Sequence, residues 1–184
     1  THTGKAMYNA GVWNNNFGAT LNQNHGNLIN TSSGTLNNNG TLNNNSAIGG
    51  VYAGLVNEGV LNNNFGATLN NNNGMFENSI LGTLNNYGTL NNYGNDGTLT
   101  NNGTLVNAGI LNNTSGAAGK HSVLINNGTL INDGTINNSQ RGLIGAGSLS
   151  NYGTLINNGT LDSIFGDVSN FGTLDNYGVI RKAH

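Results

Sequence analysis

Gly34-Thr35-Leu36-Asn37-Asn38, followed after Asn39 by Gly40-Thr41-Leu42-Asn43-Asn44, is the stretch that decides the fold. The same phrase returns with small variations at 82–86, 88–92, 103–107, 128–132, 153–157 and 172–176. So short a unit carries one aliphatic side chain and can bury it only against copies of itself, which is the condition for a solenoid. Strand alternation then assigns the roles. With leucine inward, the preceding Thr and the following residue face outward, and the residue two after leucine turns inward at a corner. A buried Asn is costly unless paired. Stacked amides can pair, because each carries both donors and acceptors.

Aligning on the inward residue gives a register that closes in threes. The first face is expected to carry Trp13, Leu36, Leu61, Leu84, Leu105, Leu130, Leu149 and Val168. The second takes Leu21, Leu42, Leu69, Leu90, Leu111, Ile136, Leu155 and Leu174, and the third Leu28, Leu55, Phe76, Leu99, Leu124, Leu143, Leu161 and Ile180. The fold class is therefore all-β, a parallel β-helix of about eight triangular coils of 19–25 residues with internal Asn ladders. Parallel crossovers favour a right-handed winding, with left-handed hexapeptide helices as the competitor.

Two regularities support the threading. Residues 11–45 match 59–93 without gaps at an offset of 48, which makes two whole coils. The long gaps from Leu42 to Leu55 and from Leu111 to Leu124 fall at one corner, where a loop can leave the stack. The corner residue is Asn at 20 of 24 places, the exceptions being Gln23, Gly145, Ser163 and Lys182. The expected ladder includes Asn38, Asn44, Asn63, Asn86, Asn92, Asn107, Asn113, Asn132, Asn138, Asn157 and Asn176. Glycine two before leucine is expected to supply a tight or positive-φ turn.

Composition narrows the function classes. The 184 residues have a formal net charge of −2 and 7% charged residues, leaving no polycationic face for nucleic acid or anionic membrane. Asn outnumbers the 30 glycines, a bias that alone reads as a disordered tract, but regular leucine spacing argues against disorder. Cysteine is absent, which excludes disulfides and thiolate metal sites, and proline is absent, as strands that must donate ladder hydrogen bonds require. No apolar run approaches the roughly 20 residues that span a bilayer as a helix, so no membrane insertion is expected.

Catalytic chemistry finds little to work with. Polysaccharide lyases and hydrolases group carboxylates with Arg or Lys. The nearest approach is Asp162, Asp167 and Asp175 beside Arg181 and Lys182, with Asp162 and Arg181 expected outward on neighbouring coils of the third face. A solvated surface pair is the plainer reading. His2, His25, His121 and His184 have no ligand spacing, the Gly-rich calcium signature is missing, and 116–120 lacks the context of a phosphate loop. No enzyme activity, cofactor or metal is expected. Tyr87, Tyr93, Tyr152, Tyr177, Phe65 and Phe171 each precede a turn glycine, where they can stack on sugars or cover their own corners.

Runs such as Asn126-Asn127-Gly128-Thr129-Leu130-Ile131-Asn132 and Asn157-Asn158-Gly159-Thr160-Leu161 resemble the repeats of bacterial secreted β-helix adhesins. These are the filamentous-haemagglutinin-like exoproteins and autotransporter passenger domains. The resemblance spans nearly the whole chain and implies an exported, cell-surface or filamentous protein used in attachment; the secretion and translocator domains of such proteins are not visible in these residues.

The chain is expected to form one solenoid domain, 1–184, with 1–10 as lead-in and 181–184 as tail. Its apolar ends, at Trp13 and at Val168, Leu174 and Ile180, are expected to stack head to tail with other copies. Outward Ile29, Val56, Ile125 and Ile144 on the third face suggest lateral packing. The leading expectation is thus a non-enzymatic segment of an extracellular filament or adhesin whose partner is itself, with surface glycans a further partner. The alternative is an ice- or carbohydrate-binding face built on Thr20, Thr41, Thr68, Thr89, Thr135, Thr154 and Thr173, each followed two positions on by Asn22, Asn43, Asn70, Asn91, Asn137, Ile156 and Asp175.

Overall fold

The computed structural model describes residues 6–24, 26–45, 54–94, 96–115, 121–139, 147–164 and 166–183. Among them are 24 short strands, from Met7–Asn9 to Val179–Ala183, and no helix. They form three eight-stranded sheets, every third strand joining the same sheet. All pairings are parallel and in register, so that Leu36 pairs with Leu61, Leu61 with Leu84 and Leu84 with Leu105. Partners on successive coils lie 19 to 27 positions apart. The chain is a three-sided β-solenoid, as the spacing of its leucines requires.

Each sheet sends one aliphatic column inward. The columns from Leu28, Leu36 and Leu42 up to Leu149, Leu155 and Leu161 are almost wholly excluded from solvent and form one continuous core. Met7, Trp13 and Leu21 below, with Val168 and Leu174 above, pack on it half-buried. An internal leucine is flanked above and below by its own kind, whereas these have one such neighbour.

The columns depart from the sequence threading at one point. Leu149 pairs with Leu124 and Val168 on the third sheet, not on the first. Leu155 and Leu174 accordingly move from the second face to the first, beside Leu130, and Leu161 and Ile180 move from the third to the second, beside Ile136. The expected inward position Leu143 lies outside the described residues, and Met7 opens the third column instead, paired with Leu28. The connection from Ile136 to Leu149 therefore resembles those from Leu42 to Leu55 and from Leu111 to Leu124. All three join the second sheet to the third, so the long connections share one edge. The offset of 48 holds as two whole coils, carrying Trp13 to Leu61 and Leu21 to Leu69 on their own sheets.

The repeat glycines serve a different purpose from the one expected. Positive φ occurs at Gly18, Gly26, Gly66 and Gly94; of these Gly26, with φ 155°, stands two before the inward Leu28, but none belongs to a Gly-Thr-Leu phrase. A Cβ on Gly128 would instead run into the carbonyl oxygen of Gly103, and one on Gly153 into that of Gly128. Glycine is needed there because successive coils bring backbone against backbone, about 4.8 Å apart along the axis. Gly18 and Gly66 do have the left-handed conformation, in equivalent turns closed by Ala19 N–H to Asn16 and by Ala67 N–H to Asn64.

Candidate functional site

Inside each corner the amides form the expected ladders. In the column Asn38, Asn63, Asn86, Asn107, Asn132, Asn157 and Asn176, each Nδ2 donates to the Oδ1 of the next coil at 2.7–2.8 Å. The same nitrogen donates its second hydrogen to a backbone carbonyl one coil up, as Asn38 does to Thr68 at 2.9 Å. Asn44, Asn71, Asn92, Asn113 and Asn138 make the equivalent column of the second sheet at 2.6–2.8 Å. These amides are buried and fully used, except near the ends of the stack, and are unavailable to a ligand. Their role is structural.

A second set of ladders runs on the outside, with its direction reversed. Asn43 donates down to Asn22, Asn70 to Asn43, Asn91 to Asn70, Asn112 to Asn91 and Asn137 to Asn112, all at 2.7–2.8 Å. The file stands on the second sheet, the face on which the Thr-x-Asn array was expected. Each outer amide spends one hydrogen and one oxygen lone pair on its neighbours, which leaves one of each free to face outward.

Beside this file the surface is hollow. A depression of about 630 Å³ is lined by one row made of Asn70, Asn91, Asn112, Asn137 and Asp162 and another made of Asn72, Tyr93, Thr114, Ser139 and Ile164. It exists because strands of this sheet run past the inward corner amide. Thr89–Gly94 and Ile110–Ser115 have six residues against four in Thr83–Asn86 and Thr104–Asn107 of the first sheet. The additional outward residue of each strand forms the second row. Sequence reasoning missed that row, although a partial signal was present: Thr41–Asn45, Thr68–Asn72 and Ile110–Ser115 have no glycine two residues after the corner Asn, whereas Thr89–Gly94 repeats the phrase of 83–88 and carries no such mark.

Asp162 is the charged residue of the groove. Its Oδ2 lies 3.9 Å from Arg181, whose side chain is 63% exposed, and such a pair contributes little to stability. The neighbouring coils were foreseen, but the pair stands on the second sheet rather than the third. Its Oδ1 is buried without a hydrogen-bond partner. The outer ladder explains why. The residue above Asn137 must donate downward, and an ionised carboxylate only accepts. Asp133 accepts from Asn158 at 2.7 Å and stands at the corner one coil above Ala108, so it meets no such demand.

The expected threonine face divides between two sheets. Thr20, Thr41, Thr68, Thr89 and Thr135 stand on the second, interrupted by Ile110 and continued by Thr160. Thr154 and Thr173 belong to the first sheet, above Thr129, because of the shifted register. Likewise Ile156 and Asp175 leave the second face, where Asp162 and Arg181 take their places. Outward Ile29 and Val56 are adjacent on the third sheet, and Ile125 stands further up it; Ile144 lies outside the described residues.

Of the corner aromatics, Tyr152 and Phe171 stack on one another with ring centroids 4.9 Å apart, and Tyr93 lines the groove. Phe65 and its counterpart Phe17 are almost entirely bare. No three His, Cys, Asp or Glu residues among those described are placed to hold a metal ion. Comparison with protein-family models, with curated proteins and with solved structures found no match to this chain.

Proposed function

We propose that this chain is a non-enzymatic β-solenoid of an extracellular adhesin or filament, and that the groove on its second sheet is where it recognises a glycan. The observation that carries this reading is the groove itself, an open channel lined by repeated amides, hydroxyls and one aromatic ring. Amides and hydroxyls that both donate and accept suit a hydroxyl-rich ligand. Tyr93, 42% exposed, offers a ring face for the apolar side of a sugar. Asp162 faces Arg181 rather than a second carboxylate, and paired carboxylates are what glycoside hydrolysis needs. The resemblance of the repeats to exported adhesins supports the extracellular setting. An ice-binding role would need a flat plane, and the hollow on this sheet favours a chain-shaped ligand over ice.

Axial assembly belongs to the same reading. Ile180 is 40% exposed and Leu174 half-buried, so the uppermost coil offers aliphatic side chains and strand edges to one more coil, from the same polypeptide or from a second molecule. Sedimentation and negative-stain microscopy over a range of concentrations check the second case. Rods longer than one chain are expected, and a species that stays monomeric throughout removes self-assembly while leaving recognition intact. Recognition is tested by retention on immobilised polysaccharides. At least one class is expected to retain the protein, with retention weakened by Tyr93→Ala, and failure to bind any polysaccharide would overturn the reading.

A further inference from the structure

Resting on that reading, we infer that the groove takes an uncharged, extended β-linked polysaccharide lying parallel to the solenoid axis, one sugar to each coil, and discriminates against polyuronates and sulfated glycans. Period is the first argument. The outward amides Asn70, Asn91, Asn112 and Asn137 recur once per coil in strict register, about 4.8 Å apart. An extended β-1,4-linked pyranose chain advances per sugar by close to that spacing. A polymer laid along the axis therefore sets one sugar over each coil and, because alternate sugars are turned over, returns equivalent hydroxyls to the amide row on every second coil, whereas one laid across the sheet meets each row once.

Directionality is the second argument. Every amide of the file points the same way, since each donates to the coil below. The unused hydrogen and lone pair of successive amides thus alternate in constant order along the channel. A ligand whose hydroxyls donate and accept in turn satisfies both, while each carboxylate or sulfate that replaces a hydroxyl can only accept.

Charge is the third argument. Among the described residues no Lys or Arg lines the depression, and the one charged side chain there is Asp162, with Arg181 at 3.9 Å on the coil above. Along the amide row a run of carboxylates or sulfates would shed water without gaining a cationic partner, and at the upper end it would compete with Asp162 for Arg181. The outward amides of the first sheet also form a ladder, Asn85 to Asn62 to Asn37 to Asn14, but there the file passes into Val106, Ile131 and Ile156. The two faces are therefore chemically distinct.

Isothermal titration of the full chain with cello-, manno- and N-acetylchito-oligosaccharides of increasing length, and with β-1,4-linked oligomannuronates and sulfated cello-oligosaccharides of matching length, tests the inference. Five strands line the depression, so affinity for a neutral series is expected to climb with each sugar and level off at about five. The acidic series is expected to bind at least about tenfold more weakly, which is roughly one charge repulsion in a partly desolvated site. Asp162→Asn should narrow that gap, read as the ratio of acidic to neutral affinity for the same variant. Tyr93→Ala should weaken neutral binding about tenfold with an unchanged circular dichroism spectrum. Acidic oligosaccharides that bind as well as neutral ones, or affinity that ignores chain length, would overturn this inference and leave glycan recognition standing. If neither series binds, recognition itself fails and this inference with it.

Discussion

The inner and the outer amide ladders run in opposite directions, and that fixes which residue each position accepts. Inside, each amide donates upward, held there by the second bond its nitrogen makes to a backbone carbonyl one coil up. Gln23 breaks this chain. Its Nε2 and the Oδ1 of Asn44 are both buried without partners, since the additional methylene carries the donor past the acceptor it should meet. Gln23→Asn is expected to form the missing rung and stabilise the protein by about 0.5–1.5 kcal/mol in chemical denaturation, with unchanged or reduced stability contradicting it. Gly128→Ala is expected to cost about 1–3 kcal/mol, because its Cβ has no room beside the Gly103 carbonyl. Inward asparagine was legible from alternation alone. The purpose of the glycine was not, because close approach of two coils leaves no local mark that separates it from a left-handed turn.

Strand identity was legible nearly everywhere, and register slipped at one element. Leu143 looks like an inward residue by spacing, yet it is followed two positions on by Gly145 where almost every other inward residue has Asn. A further signal was available. Leu42 to Leu55, Leu111 to Leu124 and Ile136 to Leu149 are each 13 positions apart, so the third interval matches the other two links from the second sheet to the third. Placing Leu143 inward rotated everything after it by one face, and the threonine array and the Asp162–Arg181 pair moved with it. Crosslinking separates the two registers. Thr129→Cys with Thr154→Cys puts thiols on directly paired positions of adjacent strands, within the Cα separation of about 4.4–6.8 Å that a disulfide spans. This pair is expected to oxidise readily, while Thr135→Cys with Thr154→Cys, on different sheets, should not. The reverse outcome would restore the sequence threading.

For the molecule as a whole, the columns, ladders and groove are one repeat read three ways. Stability in such a stack is a sum over neighbouring coils, so an interior position counts for more than a terminal one. Leu105→Ala, deep in the core, should cost about 2–5 kcal/mol, and Leu174→Ala, half-buried, distinctly less, as compared by equilibrium unfolding. The face that would carry recognition was read from sequence on its threonines and amides. Its concavity was not, because it depends on how far each strand runs beyond the corner. The most direct test is to follow the asparagine side-chain amide resonances during titration with a neutral β-linked oligosaccharide. Shifts confined to the groove amides Asn70, Asn72, Asn91, Asn112 and Asn137, with Asn37, Asn62 and Asn85 of the first sheet unmoved, are the expected result. Shifts on the first sheet instead, or none on either, would contradict the assignment of the groove as the recognition surface.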